Sequence, residues 1–175
     1  MKAILGLGNP GLRYRLNRHN AGFLVIEKLM KQRTLNRQQV LLVKPLTFVN
    51  LSGHCARSIV RRNKIQLEDL LVVCDDVNLP LGKIRIRPSG SDGGHKGLRS
   101  IIEALQSERF PRLRIGVGAP IRAKEDTLKE HVLGNFDKKE IKVIEGAIET
   151  AAACCCVWAE EGIAAAMNRF NRKGD

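Results

Sequence analysis

KAILGLGNPGLRYRLNRHNAGF (residues 2–23) forms the first strand, turn and helix of the predicted fold, and three glycines punctuate it: Gly6, Gly8 and Gly11. A Gly-x-Gly-x-x-Gly pattern after an apolar run is typical of dinucleotide-binding folds, in which a helix begins inside the pattern and faces the pyrophosphate. Here Asn9-Pro10 interrupts the pattern, and the first convincing helix begins only after Asn20, which is expected to cap it. The stretch therefore predicts a strand and a tight turn that presents Asn9.

The second predicted strand is a separate test of whether the chain binds a dinucleotide. Val40–Val43 is a short apolar run that is followed by Lys44. A dinucleotide site needs an acidic side chain at this point, where it holds the ribose hydroxyl groups. Since both requirements fail, the sequence argues against dinucleotide binding.

Length and composition predict one folded domain. The chain has 175 residues, of which 43% are hydrophobic and 27% charged, so it can bury a core. We expect a single domain over residues 1–175 with a short polar tail at 172–175. The formal net charge of +12 favours a polyanionic partner, with nucleic acid first.

The cysteines and the hydropathy pattern indicate where the protein works. The five cysteines have no paired spacing, which argues against a disulfide framework and favours the reducing cytoplasm. No Cys/His spacing resembles a zinc site, and no apolar stretch approaches the length of a membrane span. We therefore expect a cytoplasmic protein with no membrane association.

Predicted strands and helices alternate along the chain. The strands are residues 2–7, 40–43, 70–74, 83–87 and 112–118. The helices are residues 21–30, 52–64 and 97–106, a long helix that begins with the capping box Asp137–Glu140, and a last helix at 163–170. This alternation predicts the α/β class: a single-domain three-layer αβα sandwich with a mixed, largely parallel central sheet.

Polar side chains follow several of these strands. Asp75 and Asp76 come directly after an apolar run, Asn50 follows a Lys-Pro turn, and His95 follows Gly93-Gly94. In open α/β sheets, sites form beyond the carboxyl ends of the strands. A histidine such as His19 can act there as a general base near neutral pH if a carboxylate orients it. Sequence alone leaves open whether these residues converge.

Six blocks of residues now resemble, in order, those of the bacterial-type peptidyl-tRNA hydrolase family. They are Gly6-Leu7-Gly8-Asn9-Pro10-Gly11, Arg18-His19-Asn20, Lys44-Pro45 with Thr47–Gly53, Asp75-Asp76 with Leu79-Pro80, Gly93-Gly94-His95, and Arg112–Gly118. The resemblance extends to Met167-Asn168-Arg169-Phe170-Asn171 near the end of the chain. It implies a monomeric α/β enzyme, without metal or other cofactor, that cleaves the ester joining a peptide to the 3′ end of tRNA.

The resemblance also implies roles for individual residues. His19 corresponds to the general base that activates water, and Asp75 to the carboxylate that orients it. Asn9 corresponds to a residue that contacts the substrate near the scissile ester. The peptide and terminal adenosine are expected to contact Tyr14, Phe48 and Asn50, and His95 and Lys96 correspond to further substrate-binding or tRNA-binding positions.

Alternating arginines on two strands are expected to bind tRNA phosphates. By resemblance, Arg87 and Arg114 correspond to positions that clamp phosphate, and Arg85 lies on the same strand face as Arg87. Arginine suits this role because its guanidinium binds phosphate through two hydrogen bonds. A solvated strand face is the alternative for each of these arginines.

Two departures from the family pattern keep a second function open. The family usually has Asn where Lys96 stands, and the segment at 31–39 is shorter than in most members, which is expected to expose a sheet edge or reshape the cleft. The alternative is an RNA-binding relative with weak or no activity, similar to splicing factors of the same fold. The intact set Asn9, His19, Asn50 and Asp75 favours the enzyme, because an RNA-binding scaffold has no need of it.

Overall fold

A computed structural model describes residues 1–32, 35–36, 38–120 and 125–171. Its sheet has five strands among these residues: β1 (Lys2–Gly6), β2 (Val40–Val43), β3 (Leu70–Asp76), β4 (Ile84–Arg87) and β5 (Arg112–Gly116). They lie in the order β2-β1-β3-β5-β4. The neighbouring pairs from β2 to β5 are parallel, and β4 is antiparallel to β5. The prediction of a mixed, largely parallel sheet is confirmed.

The described part of the chain forms six helices: α1 (Ala21–Gln32), α2 (Ser52–Asn63), α3 (Lys96–Leu105), α4 (Glu125–Leu133), α5 (Lys138–Glu161) and α6 (Ile163–Phe170). Asp137 accepts hydrogen bonds from the backbone N–H groups of Lys139 and Glu140, so the predicted capping box is present at the start of α5. None of the described helices is long and apolar enough to cross a membrane.

The core has one apolar layer on each side of the sheet. In β3, Leu71 and Val73 pack with helices α1 and α5 on one face, whereas Val72 and Cys74 pack with α2 and α3 on the other. This alternation follows from the two-residue period of a strand. The result is the predicted three-layer αβα sandwich.

Close packing, more than turning, explains the glycines of the opening stretch. A Cβ atom on Gly6 would lie 2.4 Å from the carbonyl oxygen of Gly22, and one on Gly8 would lie 2.8 Å from the ring of Phe23. Only Gly11 of the three has a positive φ, at 110°, where the chain turns toward the first 3₁₀ turn. Gly6 and Gly8 thus allow α1 to pack directly against β1.

Three details differ from the sequence prediction. Strand β3 continues through Asp75 and Asp76 rather than ending before them, because both residues still pair with β5. Asn20 was expected to cap α1, but it belongs to a 3₁₀ turn over Arg18–Asn20. Helix α4 was not predicted, and the polar tail at 172–175 lies outside the described residues.

Strand β2 forms one edge of the sheet. It pairs with β1 from Val40 to Val43, and no other strand of the described chain pairs with its far side. Most of the short segment that precedes it is described, except for residues 33, 34 and 37. Strand β2 is an edge strand among the described residues and is buried to half-buried, and the expectation that the short 31–39 segment exposes a sheet edge stays a prediction.

Candidate active site

His19 and Asp75 meet at the carboxyl end of the parallel strands. His19 comes from the 3₁₀ turn that precedes α1, and Asp75 is the second-to-last residue of β3. The imidazole Nδ1 lies 2.8 Å from Asp75 Oδ1, and both side chains are buried. Because a carboxylate only accepts hydrogen bonds, Nδ1 carries the proton and Nε2 remains as the acceptor of the neutral ring.

A second histidine binds the same carboxylate oxygen. His95 Nε2 lies 3.0 Å from Asp75 Oδ1. Its other nitrogen, Nδ1, accepts the backbone N–H groups of Gly97 at 3.1 Å and Leu98 at 3.2 Å, which caps helix α3. These two donors fix the tautomer: Nδ1 has no proton, so Nε2 donates its proton to Asp75.

The electrostatics of the pair favour the ionised carboxylate. Burial acts to raise the pKa of Asp75, but the charges of His19 and His95 and their hydrogen bonds outweigh it and hold the pKa well below its usual range. Burial likewise acts to lower the pKa of His19, yet the charge of Asp75 and its hydrogen bond raise that pKa above the usual value. Lys96 opposes this rise because its positive charge repels the imidazolium.

Asn9 is held with its amide group in a defined orientation. Its Oδ1 accepts the backbone N–H of Val49 at 2.9 Å. Its own backbone is bound on both sides by Asn20, whose Oδ1 accepts the Asn9 N–H at 2.8 Å and whose Nδ2 donates to the Asn9 carbonyl at 3.0 Å. Since the Asn9 oxygen is occupied, the Nδ2 group is left as a donor in the cleft that Asn9 lines. Asn20 thus positions Asn9 instead of capping α1.

An open cleft of about 730 Å³ contains the His19–Asp75 pair and most of the predicted binding residues. Tyr14, Phe48 and Asn50 line one side of it. The rings of Tyr14 and Phe48 meet edge to face, with centroids 6.2 Å apart and an interplanar angle of 87°. Phe48 is 49% exposed, so an apolar surface is available at this side of the cleft.

Cationic side chains also line the cleft: Lys96, Arg114 and Lys129. Lys96, the first residue of α3, is exposed there. Arg114 is partly buried, with Nη1 3.3 Å from Asp76 Oδ2 and Nη2 donating to the carbonyl of Ser91 at 2.8 Å. Arg85 and Arg87 are exposed on β4 and do not line the cleft. The structure therefore brings together all the predicted site residues except these two.

The far wall of the cleft comes from helix α4, which the sequence analysis missed. Leu128 and Val132 of this helix line the cleft, and His131 Nε2 lies 3.2 Å and 3.0 Å from the carbonyl oxygens of Val117 and Gly118. The signal that could have revealed the helix is the four-residue spacing of Leu128 and Val132 within a charged segment.

Arg112 shares a strand face with Arg114 but has a different role. It is 1% exposed, and its guanidinium donates to the carbonyls of Gly90, Ser91, Glu108 and Phe110. These bonds hold the loop that precedes His95. Arg112 therefore supports the site structurally and is not available to bind phosphate.

Three ligand atoms in the site lie close enough to bind a metal ion. Those of His19, Asp75 and His95 all lie within 4.8 Å of one another. Metal binding through His95 Nε2 would require the ring proton to move to Nδ1. Two backbone N–H groups already point at Nδ1, so the tautomer that a metal needs is disfavoured.

A largely parallel sheet with a buried His–Asp pair facing an open cleft is the arrangement of a hydrolase that activates water. The sequence model described as peptidyl-tRNA hydrolase matches residues 3–175. Two similar proteins of that name come from Syntrophomonas wolfei, 44% identical over 187 positions, and Bacillus subtilis, 41% identical over 189 positions. The alignments cover 98% and 99% of this chain, and 100% of both relatives.

Solved structures agree with the sequence comparisons. The crystal structure of peptidyl-tRNA hydrolase from Acinetobacter baumannii superposes with a TM-score of 0.89 at 31% identity, covering 98% of this chain and 94% of that one. The chain belongs to the peptidyl-tRNA hydrolase family, and it is an enzyme that cleaves the ester between peptide and tRNA. The alternative of an RNA-binding relative without activity is not favoured.

The alignments also bear on the length of the chain. The match with the Syntrophomonas wolfei protein runs to 187 positions and includes all of that relative, whereas this chain has 175 residues. The relative therefore contains residues that have no counterpart here. The interpretation that the segment at 31–39 is the shortened one stays a prediction.

Proposed function

We propose that His19 is the general base of this hydrolase and that Asp75 orients it. The observation that carries the proposal is the 2.8 Å contact between His19 Nδ1 and Asp75 Oδ1, which leaves Nε2 as the acceptor. In the reaction, a water molecule gives a proton to His19 Nε2 while its oxygen adds to the ester carbonyl carbon. The tetrahedral intermediate then collapses, the ester oxygen of the tRNA leaves, and His19 returns the proton to it.

Asp75 stabilises the imidazolium that forms during this reaction. Its pKa is held well below the usual range, so it stays ionised and does not take up the proton itself. We assign His95 a positioning role, since its N–H binds the same oxygen of Asp75 while its other nitrogen is bound at the start of α3. His95 thereby helps to hold the Asp75 carboxylate in the position from which it orients His19.

Asn9 supplies a hydrogen-bond donor beside the catalytic pair. Its oxygen accepts the N–H of Val49, so its amide N–H₂ group faces the substrate and not a carbonyl of the protein. We assign this group to the carbonyl of the substrate near the scissile ester. An amide donor recognises a peptide-bearing ester and helps to distinguish it from a free aminoacyl ester.

The two sides of the cleft bind different parts of the substrate. Tyr14, Phe48 and Asn50 suit the peptide and the terminal adenosine, because aromatic rings stack on bases and an amide pairs with peptide groups. Lys96 lines the same cleft and its positive charge acts on His19, so it favours negative charge there. Arg85, Arg87 and Arg114 suit the phosphates of the tRNA.

We further infer that the reaction needs no metal ion, because the tautomer of His95 favours hydrogen bonding over ligation. The enzyme is proposed to act as a monomer. The cytoplasm is the proposed location, since ribosomes release peptidyl-tRNA there and its reducing conditions keep the five cysteines as thiols.

The test is cleavage of an N-acetylated aminoacyl-tRNA by wild type and His19→Ala under single-turnover conditions. Loss of general-base catalysis is expected to lower the rate about 10² to 10⁴-fold. His54→Ala is the matched control, because His54 is exposed on α2, and it is expected to keep the wild-type rate. A folded His19→Ala variant with the wild-type rate would exclude His19 as the base.

A further inference from the structure

Helix α2 carries basic residues along one exposed side. Arg57, Arg61 and Lys64, here called the α2 stripe, are all exposed. At 100° per residue Arg57 and Arg61 lie about 40° apart on one side of α2 and about 6 Å apart along its axis, and Lys64 follows the helix as its left-handed C-cap residue. Helix α2 contains no acidic residue, and none of the three pairs with an acidic side chain among the residues that the structure describes.

The α2 stripe leads away from the catalytic cleft. Asn50 lines the cleft, and α2 begins two residues later, at Ser52. Strand β3 then returns the chain to Asp75 in the cleft, so α2 runs from the cleft toward the amino ends of the parallel strands. A duplex whose 3′ end lies in the cleft can follow this direction.

Charge is distributed unequally between the two faces of the sheet. Helices α2 and α3, on one face, contain five Lys or Arg residues and a single acid, Glu103. Helices α1, α5 and α6, on the other face, contain six basic and six acidic residues. The excess positive charge of the helical layers therefore lies on the α2/α3 face.

The arginines of β4 and β5 belong to this same face. Ile86 and Leu113 pack into the core on the α1/α5 side. Since strand residues alternate, Arg85, Arg87 and Arg114 point to the α2/α3 side. The α2 stripe thus lies on the same face as the phosphate contacts already proposed.

We propose that the α2 stripe binds backbone phosphates in the body of the tRNA while the aminoacylated 3′ end occupies the cleft. The proposal rests on the proposed function, and it adds a contact surface that the reacting groups do not use. Arginine and lysine without acidic partners are free to bind phosphate, and each such contact releases counterions. Binding through this surface is therefore salt-dependent and independent of sequence.

The test compares two substrates and two matched double variants. The substrates are full-length N-acetylated aminoacyl-tRNA and the same ester on a short oligonucleotide that ends in CCA. Arg57→Gln/Arg61→Gln is expected to raise KM for the tRNA about tenfold at low salt. The negative slope of log(1/KM) against log[salt] is expected to become shallower by about 2, because two phosphate contacts are lost. The rate on the short substrate is expected to stay unchanged.

Lys31→Gln/Lys142→Gln is the control, because it removes the same charge from exposed residues on the α1/α5 face. It is expected to leave both the KM and the salt slope close to wild type. The proposal is overturned if the stripe variant and the control have the same KM and salt slope on the tRNA. It is also overturned if the stripe variant loses as much activity on the short oligonucleotide as on the tRNA. A failure of the proposed function itself would appear differently, as absence of cleavage of either substrate by wild type.

Discussion

At the scale of single residues, the site depends on one carboxylate oxygen. Asp75 Oδ1 accepts the N–H groups of both His19 and His95. The sequence predicted Asp75 and His19 as partners through a family resemblance, but it placed His95 only among the substrate contacts. The second contact to Asp75 could not be predicted, because it depends on how the loop before α3 lies against β3.

The contacts of Asn20 and Arg112 could not be predicted from the sequence either. A polar residue just before a helix is ordinarily its cap, and an arginine that alternates with apolar residues is ordinarily exposed. Here Asn20 binds the backbone of Asn9, and Arg112 donates to four carbonyl groups while 1% exposed. In both cases the partners come from other parts of the chain, so local sequence contains no sign of them.

Lys96 gives a prediction at this scale. Of the charged groups around His19, Asp75 raises the pKa of the imidazole and Lys96 lowers it, while His95 and Arg114 also line the cleft. Activity needs neutral His19, so kcat/KM rises with pH through this pKa. Lys96→Asn removes the opposing charge, and the rise in kcat/KM is expected to move to higher pH.

The pH profile of kcat/KM checks this expectation. Lys96→Arg is the control, because it keeps a positive charge at the start of α3 and is expected to retain the wild-type profile. If Lys96→Asn leaves the rise at the wild-type pH, or moves it to lower pH, Lys96 does not act on His19 as described.

At the scale of elements, most helices and strands were predictable from periodicity. The bounds of β2 and α6 agree with the prediction, and the capping box correctly located the start of α5. Helix α4 was missed because it is short and largely charged, and its inner face in the cleft consists of Leu128, Val132 and their neighbours. A helix that lines an open cleft has little apolar surface to bury, so its pattern is weak.

Close packing between α2 and α3 gives a prediction for this scale. A Cβ atom on Gly53 would lie 2.1 Å from the carbonyl oxygen of Ser100, a backbone atom that cannot move independently. Gly53→Ala is therefore expected to destabilise the fold by about 1–3 kcal/mol, because α2 must shift away from α3. Urea unfolding followed by circular dichroism measures the change.

Gly146 provides the matched control in the middle of α5. A Cβ atom at this position meets nothing within 4 Å. Gly146→Ala is expected to stabilise the protein by about 0.5–1 kcal/mol, since alanine loses less backbone entropy in a helix. A Gly53→Ala variant as stable as Gly146→Ala would contradict the packing described between α2 and α3.

At the scale of the whole molecule, the fold brings residues from distant parts of the chain to one cleft. The carboxyl ends of β1 and β3 bring Asn9 and Asp75 to one cleft, although the two residues are far apart in sequence. The net charge of +12 predicted a polyanionic partner but not which surface binds it. The positions of the helices on the sheet divide the charge between two faces, and our proposal for the tRNA-binding surface depends on this division.

The central claim is that Asp75 orients His19 and stabilises its charged form. The most direct measurement is the pH profile of kcat/KM for wild type and Asp75→Asn on N-acetylated aminoacyl-tRNA. The pKa of His19 is raised above its usual value, so the wild-type profile is expected to rise with its midpoint above pH 6.5. Asp75→Asn removes the negative charge, which is expected to shift the midpoint to lower pH and to decrease kcat about 10² to 10⁴-fold. A folded Asp75→Asn variant with the wild-type midpoint and kcat would contradict the claim.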